Sequence, residues 1–356
     1  MTTLHTFDEA IAHSAQFKKR HLLLGNGFSI ACRPQIFTYG SLFEQADFSS
    51  APRLPAVFDA VGSTDFEQVI KILEGASRVA PIYSGEATEA AEQMAADAEA
   101  LKDILIQTVA NNHPNIPNEI DDTQFWACRR FLAHFLGRAN ANGKVYTLNY
   151  DLLLYWTLMH DDMGFDNPIP LAVNDGFGRD EDTEPEYVNW MGESGAHSQR
   201  VHYLHGALHL FDAGAELQKY TWVNTGKPLL EQAREAMGAN KYPLFVAEGK
   251  SNQKLAKIKH SAYLHHSYKS FSSQMAQRND ALFIFGHSLA KNDQHVLKKI
   301  TRGKIIQIYV GLYGDPESVT NKQIKDAAMS MAHLRSGSFP LNVDFFDAAS
   351  AEVWGA

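Results

Sequence analysis

Short apolar runs recur along the chain, at residues 21–24, 144–147, 201–204, 244–247, 281–285, 304–310 and 343–346. Such runs fit strands covered on both faces, as in a parallel sheet. Several are separated by helix-length segments, which calls for right-handed crossovers. The pattern therefore predicts an α/β fold, a Rossmann-like doubly wound parallel sheet. Residues 7–20 read as a polar, helical start. The stretch 39–136 shows no strong strand, and 86–108 is rich in Ala, Glu, Leu and Asp with no interior Pro or Gly. That composition favours helix, so a helical insertion is expected after the first strand, packed over the site. Residues 65–67 start an amphipathic helix, with Phe66, Val69, Ile70 and Leu73 facing inward. Polar residues 174–200, carrying Gly176, Gly178, Pro185, Gly192 and Gly195, read as a long surface loop or lid. The expected organisation is one α/β domain over 1–356, with the insertion at about 40–140 and closing strands at about 300–350.

Composition narrows the function classes. The chain has 356 residues, 45% hydrophobic and 21% charged, an ordinary globular balance. No apolar run is long enough to span a bilayer, and residues 1–19 hold Asp8 and Glu9 without an apolar core, unlike a secretory leader. A cytoplasmic protein off the membrane is expected. The formal charge of −9 gives no chain-wide basic field, so no direct nucleic-acid partner is expected. The two cysteines, Cys32 and Cys128, cannot build a disulfide framework or a four-cysteine zinc ribbon.

Candidate chemistry lies where apolar runs end, the edge at which open α/β sheets bind ligands. After 21–24 comes Gly25-Asn26-Gly27-Phe28-Ser29. Two glycines at a strand-to-helix turn let backbone approach a pyrophosphate, or simply make a tight turn. Ile30 stands where the dehydrogenase fingerprint has glycine or alanine. Ser29 would donate to phosphate or cap the helix. Thr147-Leu148-Asn149-Tyr150-Asp151 follows the second run. The Asn149 amide both donates and accepts, which suits ribose hydroxyls or a water. Asp151 is also placed to cap the apolar helix that follows. His205-Gly206 offers a general base with close substrate approach. Gly286-His287-Ser288-Leu289 offers backbone and hydroxyl to ribose or phosphate. Asn292, Asp293 and His295 follow; one of them is expected at the adenosine ribose, with Asp293 alternatively a helix cap. His202 and His205 fall on opposite faces of a strand, and His260, His265 and His266 lack a one-face spacing, so no metal is expected. Lys250, Lys254, Lys257 and Lys259 read as a mostly solvated helix face, with a phosphate contact as the lesser reading.

The four segments in this order resemble the sirtuin-like NAD-consuming superfamily, in its zinc-free bacterial defence branch. The likeness is greatest to an uncharacterised family opening Leu-Leu-Gly-Asn-Gly-Phe-Ser, as residues 23–29 do here, and it continues at 39–42, 64–67, 246–249 and 263–264. Deacylating sirtuins carry a four-cysteine zinc ribbon that this chain lacks. The resemblance implies NAD as substrate, with Asn149 and His205 as the catalytic pair. It implies nucleotide contacts from Gly25, Asn26, Gly27, Phe28, Ser29, Thr147, Asp151, Gly206, Gly286, Ser288 and Asp293. The reaction implied is NAD glycohydrolysis to nicotinamide and ADP-ribose, in anti-phage defence by NAD depletion. An enzyme of that kind needs an off state, hence a separately encoded activator or sensor, a homo-oligomer or a hetero-complex. The alternatives are a non-catalytic NAD or ADP-ribose sensor, and a protein deacylase or ADP-ribosyltransferase.

Overall fold

A computed structural model describes residues 4–84, 88–137, 143–160, 168–179, 187–192, 199–213, 217–221, 226–239, 241–247, 250–335 and 339–355. Its strands are β1 (Leu4–His5), β2 (Lys19–Leu24), β3 (Val145–Thr147), β4 (Phe177–Gly178), β5 (Tyr187–Trp190), β6 (Val201–Tyr203), β7 (Gly206–Asp212), β8 (Leu217–Tyr220), β9 (Pro243–Phe245), β10 (Asp280–Phe285), β11 (Gln307–Leu312) and β12 (Asn342–Asp347).

Seven of them form one sheet in the order β1-β12-β11-β10-β2-β3-β6, every pair parallel. Counted from β2 and leaving out the short edge strand β1, this is the doubly wound order 3-2-1-4-5-6, read from the β6 edge. The expected fold class is the observed one. Alternation along the strands explains why the runs look uniformly apolar. Leu22 and Leu24 join the core on one face of the sheet, while Leu23 joins the core on the other. In β10, Phe283 and Phe285 pack on the first face and Leu282 and Ile284 on the second. Each such side chain, fully buried, contributes about 1.5–3 kcal/mol.

Helices Tyr39–Gln45, Leu54–Val61, Phe66–Ser84, Thr88–Asn112 and Asp122–Leu136 occupy the chain between β2 and β3. Phe66, Val69, Ile70 and Leu73 are buried as their spacing requires, and they share a continuous core with the first face of the sheet. No helix among the described residues is long and apolar enough to cross a membrane.

Two expectations are corrected. The run 244–247 does form a strand, but β9 lies in a second, antiparallel sheet ordered β4-β5-β8-β7-β9. Backbone at Gly206 turns through φ +84°, so the chain leaving β6 enters β7, which takes β9 as its antiparallel partner. Within the polar stretch 174–200, the described residues supply β4 and β5 instead of loop alone. Residues 180–186, 193–198 and 248–249 lie outside the described residues.

Candidate functional site

The four strand-end segments start from one row of the sheet. Phe285 is in register with Leu24, Leu24 with Thr147, and Thr147 with Tyr203. Backbone bonds carry the row one step further: Gly25 N–H to Phe285 O (2.9 Å), Leu148 N–H to Leu24 O (3.0 Å) and Leu204 N–H to Thr147 O (2.9 Å). Gly286, Gly25, Asn149 and His205 therefore emerge side by side. Strand order reverses between β2 and β10, so this is the switch-point crevice.

At that crevice the glycines make room for a neighbouring loop. A Cβ on Gly25 would lie 2.6 Å from Gly286 O and 2.8 Å from His287 Cα, and one on Gly27 would lie 2.5 Å from Gly286 Cα. The turn also uses its own donors. Gly27 N–H bonds Gly286 O, Phe28 N–H bonds Gly25 O, and Ser29 N–H bonds Asn26 O. Phe28 turns its ring into the core against Trp354, 5.2 Å between centroids, and Ser288 is exposed. Helix Gly27–Cys32 has Asn26 as its N-cap, with no side-chain cap bond.

Ser29 lies inside that helix and serves the next strand instead. Its hydroxyl donates to Asp151 Oδ2 (2.5 Å) and accepts from Asn149 Nδ2 (2.8 Å), which also donates to Gly25 O (3.1 Å). Thr147 Oγ1 accepts the Asn149 N–H (3.1 Å). Asp151 Oδ1 accepts Leu153 N–H (2.9 Å), so it does hold the start of helix Leu153–Met159. Burial pushes the Asp151 carboxyl up, against the Ser29 bond.

A second cluster surrounds His205. Its Nε2 lies 3.0 Å from Nε2 of His295, with the rings stacked 5.1 Å apart. Ser251 Oγ accepts the His295 N–H (2.6 Å) and lies 3.2 Å from His295 Nδ1. Asp293 places Oδ1 3.9 Å from His205 Nε2 and 3.1 Å from Lys254 Nζ. Its Oδ2 lies 3.1 Å from His287 Nε2. His287 Nδ1 accepts the Leu289 N–H (2.9 Å), so Nε2 carries the proton and donates to Asp293. Lys254 donates to Glu67 Oε2 (2.8 Å), which also receives Asn292 Nδ2 (2.5 Å). Tyr150 OH donates to Val246 O (2.7 Å) and lies 3.3 Å from Glu67 Oε1.

Burial dominates the electrostatics here. It drives His205 well below the usual imidazole range, with Lys254 adding to the effect, and His295 down to about 4 for the same first reason. Both rings are neutral bases at neutral pH. Burial also raises Glu67, with Asp293 and Asp65 pushing the same way against Lys254. For Asp293 burial opposes ionisation, yet Lys254 and His287 outweigh it and hold the carboxyl well below its ordinary range. Asp293 is the N-cap residue of helix Gln294–Arg302, but its side chain makes no cap bond. Its carboxylate belongs to Lys254 and His287.

Lys254 is a further correction. Its side chain has no exposed surface, while Lys259 is exposed. Ile258, one turn on and fully buried, marks the inward face that Lys254 shares. The sequence alone assigns no role at the site to Glu67, Ser251 or His287, and to Lys254 only a lesser one, as a phosphate contact.

A family model described as "Domain of unknown function (DUF4917)" matches residues 22–354. No curated protein matches the chain. Among solved structures it is similar to a crystal structure of a Sir2 homolog–NAD complex. The identity is 14%, with 93% of this chain and 97% of that chain covered, at a TM-score of 0.31.

Proposed function

This chain belongs to the DUF4917 family of domains of unknown function, and for it we propose NAD glycohydrolysis, with Asn149 and His205 as the catalytic pair. The observation that carries the reading is the shared row: Phe285, Leu24, Thr147 and Tyr203 are in register, so all four segments resembling NAD consumers leave the sheet at its switch point.

The chemistry follows from the two clusters. Cleavage breaks the bond from ribose C1′ to the nicotinamide nitrogen, and the electron pair leaves with neutral nicotinamide. Positive charge then develops on the ribose. Asp293, held ionised by Lys254 and His287, lies 3.9 Å from His205 Nε2 and favours positive charge that develops beside it, where preorganised charge acts strongly. Water adds its oxygen to C1′. Its proton goes to neutral His205 and passes on by way of His295 to solvent. The products are nicotinamide, ADP-ribose and one proton. Asn149, fixed by Ser29 and Gly25, orients the ribose and the water. Asp151 and Thr147 hold that loop, and Gly206 admits the sugar. Gly25, Asn26, Gly27, Phe28 and Ser29 form the turn on the pyrophosphate side. Gly286 and Ser288 take the adenosine half, and Asp293 lies beside His205. The biological role is a regulated effector of bacterial antiviral defence, cytoplasmic and switched on by a separate protein or by assembly. That role rests on the resemblance.

The test is nicotinamide and ADP-ribose release from NAD, alone and with the products of neighbouring genes. Asn149→Ala and His205→Ala should abolish release while the circular dichroism stays native. Cleavage retained by both variants would exclude the assignment. NAD binding without turnover under every condition would favour the sensor.

A further inference from the structure

We infer that His205, His295 and Asp293 form a site for one divalent transition-metal ion of the zinc class, and that the ion holds the protein inactive. Their ligand atoms all lie within 4.8 Å of one another. The inactivating effect rests on the function proposed above; the binding site does not.

Two independent observations support it. The first is geometric. Two imidazole nitrogens on a tetrahedral ion at about 2.0 Å stand roughly 3.3 Å apart, and Nε2 of His205 and of His295 already face each other at 3.0 Å. Asp293 Oδ1 lies 3.9 Å from His205 Nε2, so small rotations close the third side. Ser251 holds His295 by both its backbone N–H and Nδ1, the outer support that orients a ligating imidazole. Both rings are buried, as a closed metal site requires.

The second is charge. Lys254 stands 3.1 Å from Asp293 Oδ1, and its ammonium opposes a cation there. Glu67 Oε2 lies 2.8 Å from the same ammonium, so two carboxyl groups face that one fixed positive charge. Two imidazoles with one carboxylate select zinc, cobalt or nickel over magnesium or calcium, which prefer all-oxygen sites. Coordination occupies Nε2 of His205, the atom through which it meets His295 in the proposed proton relay.

The full chain, stripped with chelator and dialysed, would be titrated with Zn²⁺ and Co²⁺, with Mg²⁺ as control. One equivalent of Zn²⁺ should bind, the melting temperature should rise, and Co²⁺ should give the intense visible bands of a tetrahedral ion. His295→Ala should weaken binding at least tenfold, and His295→Gln keeps the test sound where the alanine variant unfolds. His265→Ala, at an exposed histidine, should bind as the parent does. Binding below one equivalent, or binding unchanged in both His205→Ala and His295→Gln, overturns the site. Where NAD is cleaved, Zn²⁺ should suppress it at least tenfold and chelator restore it. Zn²⁺ bound at these residues with cleavage untouched overturns the off state and His205 as base together. Metal binding with no NAD cleavage by the stripped protein, alone or with the products of neighbouring genes, leaves the site standing and removes the hydrolase reading instead.

Discussion

The ammonium of Lys254 lies 2.8 Å from Glu67 Oε2 although 187 residues separate them, and it ties the helical insertion to the sheet's ligand edge. Burial disfavours its charge, but Glu67 and Asp293 more than offset this and hold the group above its ordinary range. Lys254→Met leaves two buried carboxylates without their partner. The expected loss is about 3–5 kcal/mol, the usual cost of removing one member of a buried pair. Urea unfolding at pH 7 measures it. Part of the loss should return as pH is lowered, because Glu67, raised by burial, takes up a proton before an ordinary carboxyl does.

Acid should destabilise the fold before carboxylates in general titrate. His113 is buried; its Nδ1–H donates to Pro114 O (2.9 Å) and its Nε2 accepts Leu152 N–H (3.0 Å), and burial lowers it to about 4. His205, His202 and His209 are lowered further by the same first cause. An unfolded histidine takes a proton near ~6.5 while the folded one refuses it. Stability is therefore full above that value and falls as pH drops toward the folded pKa. Each such ring contributes a slope of about 1.4 kcal/mol per pH unit. Chemical unfolding at pH 7, 6 and 5 should show the decline, and His113→Phe should shallow it by up to one ring's share. A flat profile would mean that these rings are protonated in the fold.

Gly206 and Gly62 separate two costs of a side chain. Both have positive φ, +84° and +67°, yet a Cβ on Gly206 would sit 1.8 Å from Leu244 O whereas one on Gly62 meets nothing within 4 Å. Gly62→Ala should cost about 1–2 kcal/mol, the left-handed penalty alone. Gly206→Ala should cost at least about 1–3 kcal/mol more, since β9 must move. Paired thermal denaturation compares them, and equal losses would show that β9 yields freely.

Ser29→Ala removes both the donor to Asp151 and the acceptor for Asn149. Stability should fall by about 1–3 kcal/mol through the buried carboxyl left short of a donor. Nicotinamide release should fall roughly tenfold to a hundredfold, as expected when a positioned group slips. Ser29→Thr, which keeps the hydroxyl, should recover much of the turnover if the new methyl is accommodated. Full activity in Ser29→Ala would detach Asn149 from the reaction.

Strand ends were readable because an apolar run closed by glycine reports both a buried strand and its exit. The small antiparallel sheet was not. Residues 244–247 announce a strand but not its partner, and that choice is made by the backbone reversal at Gly206. Lys254 was hidden by its neighbours: Lys250, Lys257 and Lys259 make the segment look solvated, and the turn-spaced Ile258 is the sign that one lysine faces in. Glu67 was hidden differently. Its helix was expected from Phe66, Val69, Ile70 and Leu73, but an acidic residue in a first helical turn ordinarily serves the dipole and needs no distant cation.

Strand order also sets a timetable for synthesis. β2 takes β3 on one side and β10 on the other, and β10 is made after the whole helical insertion and the second sheet. A ribosome translating this chain holds β2 with one edge unpaired through most of elongation. His205 meets His295 only once both have left the exit tunnel. The sheet thus pairs from its middle outward, and the His205–His295 contact is among the last features to close.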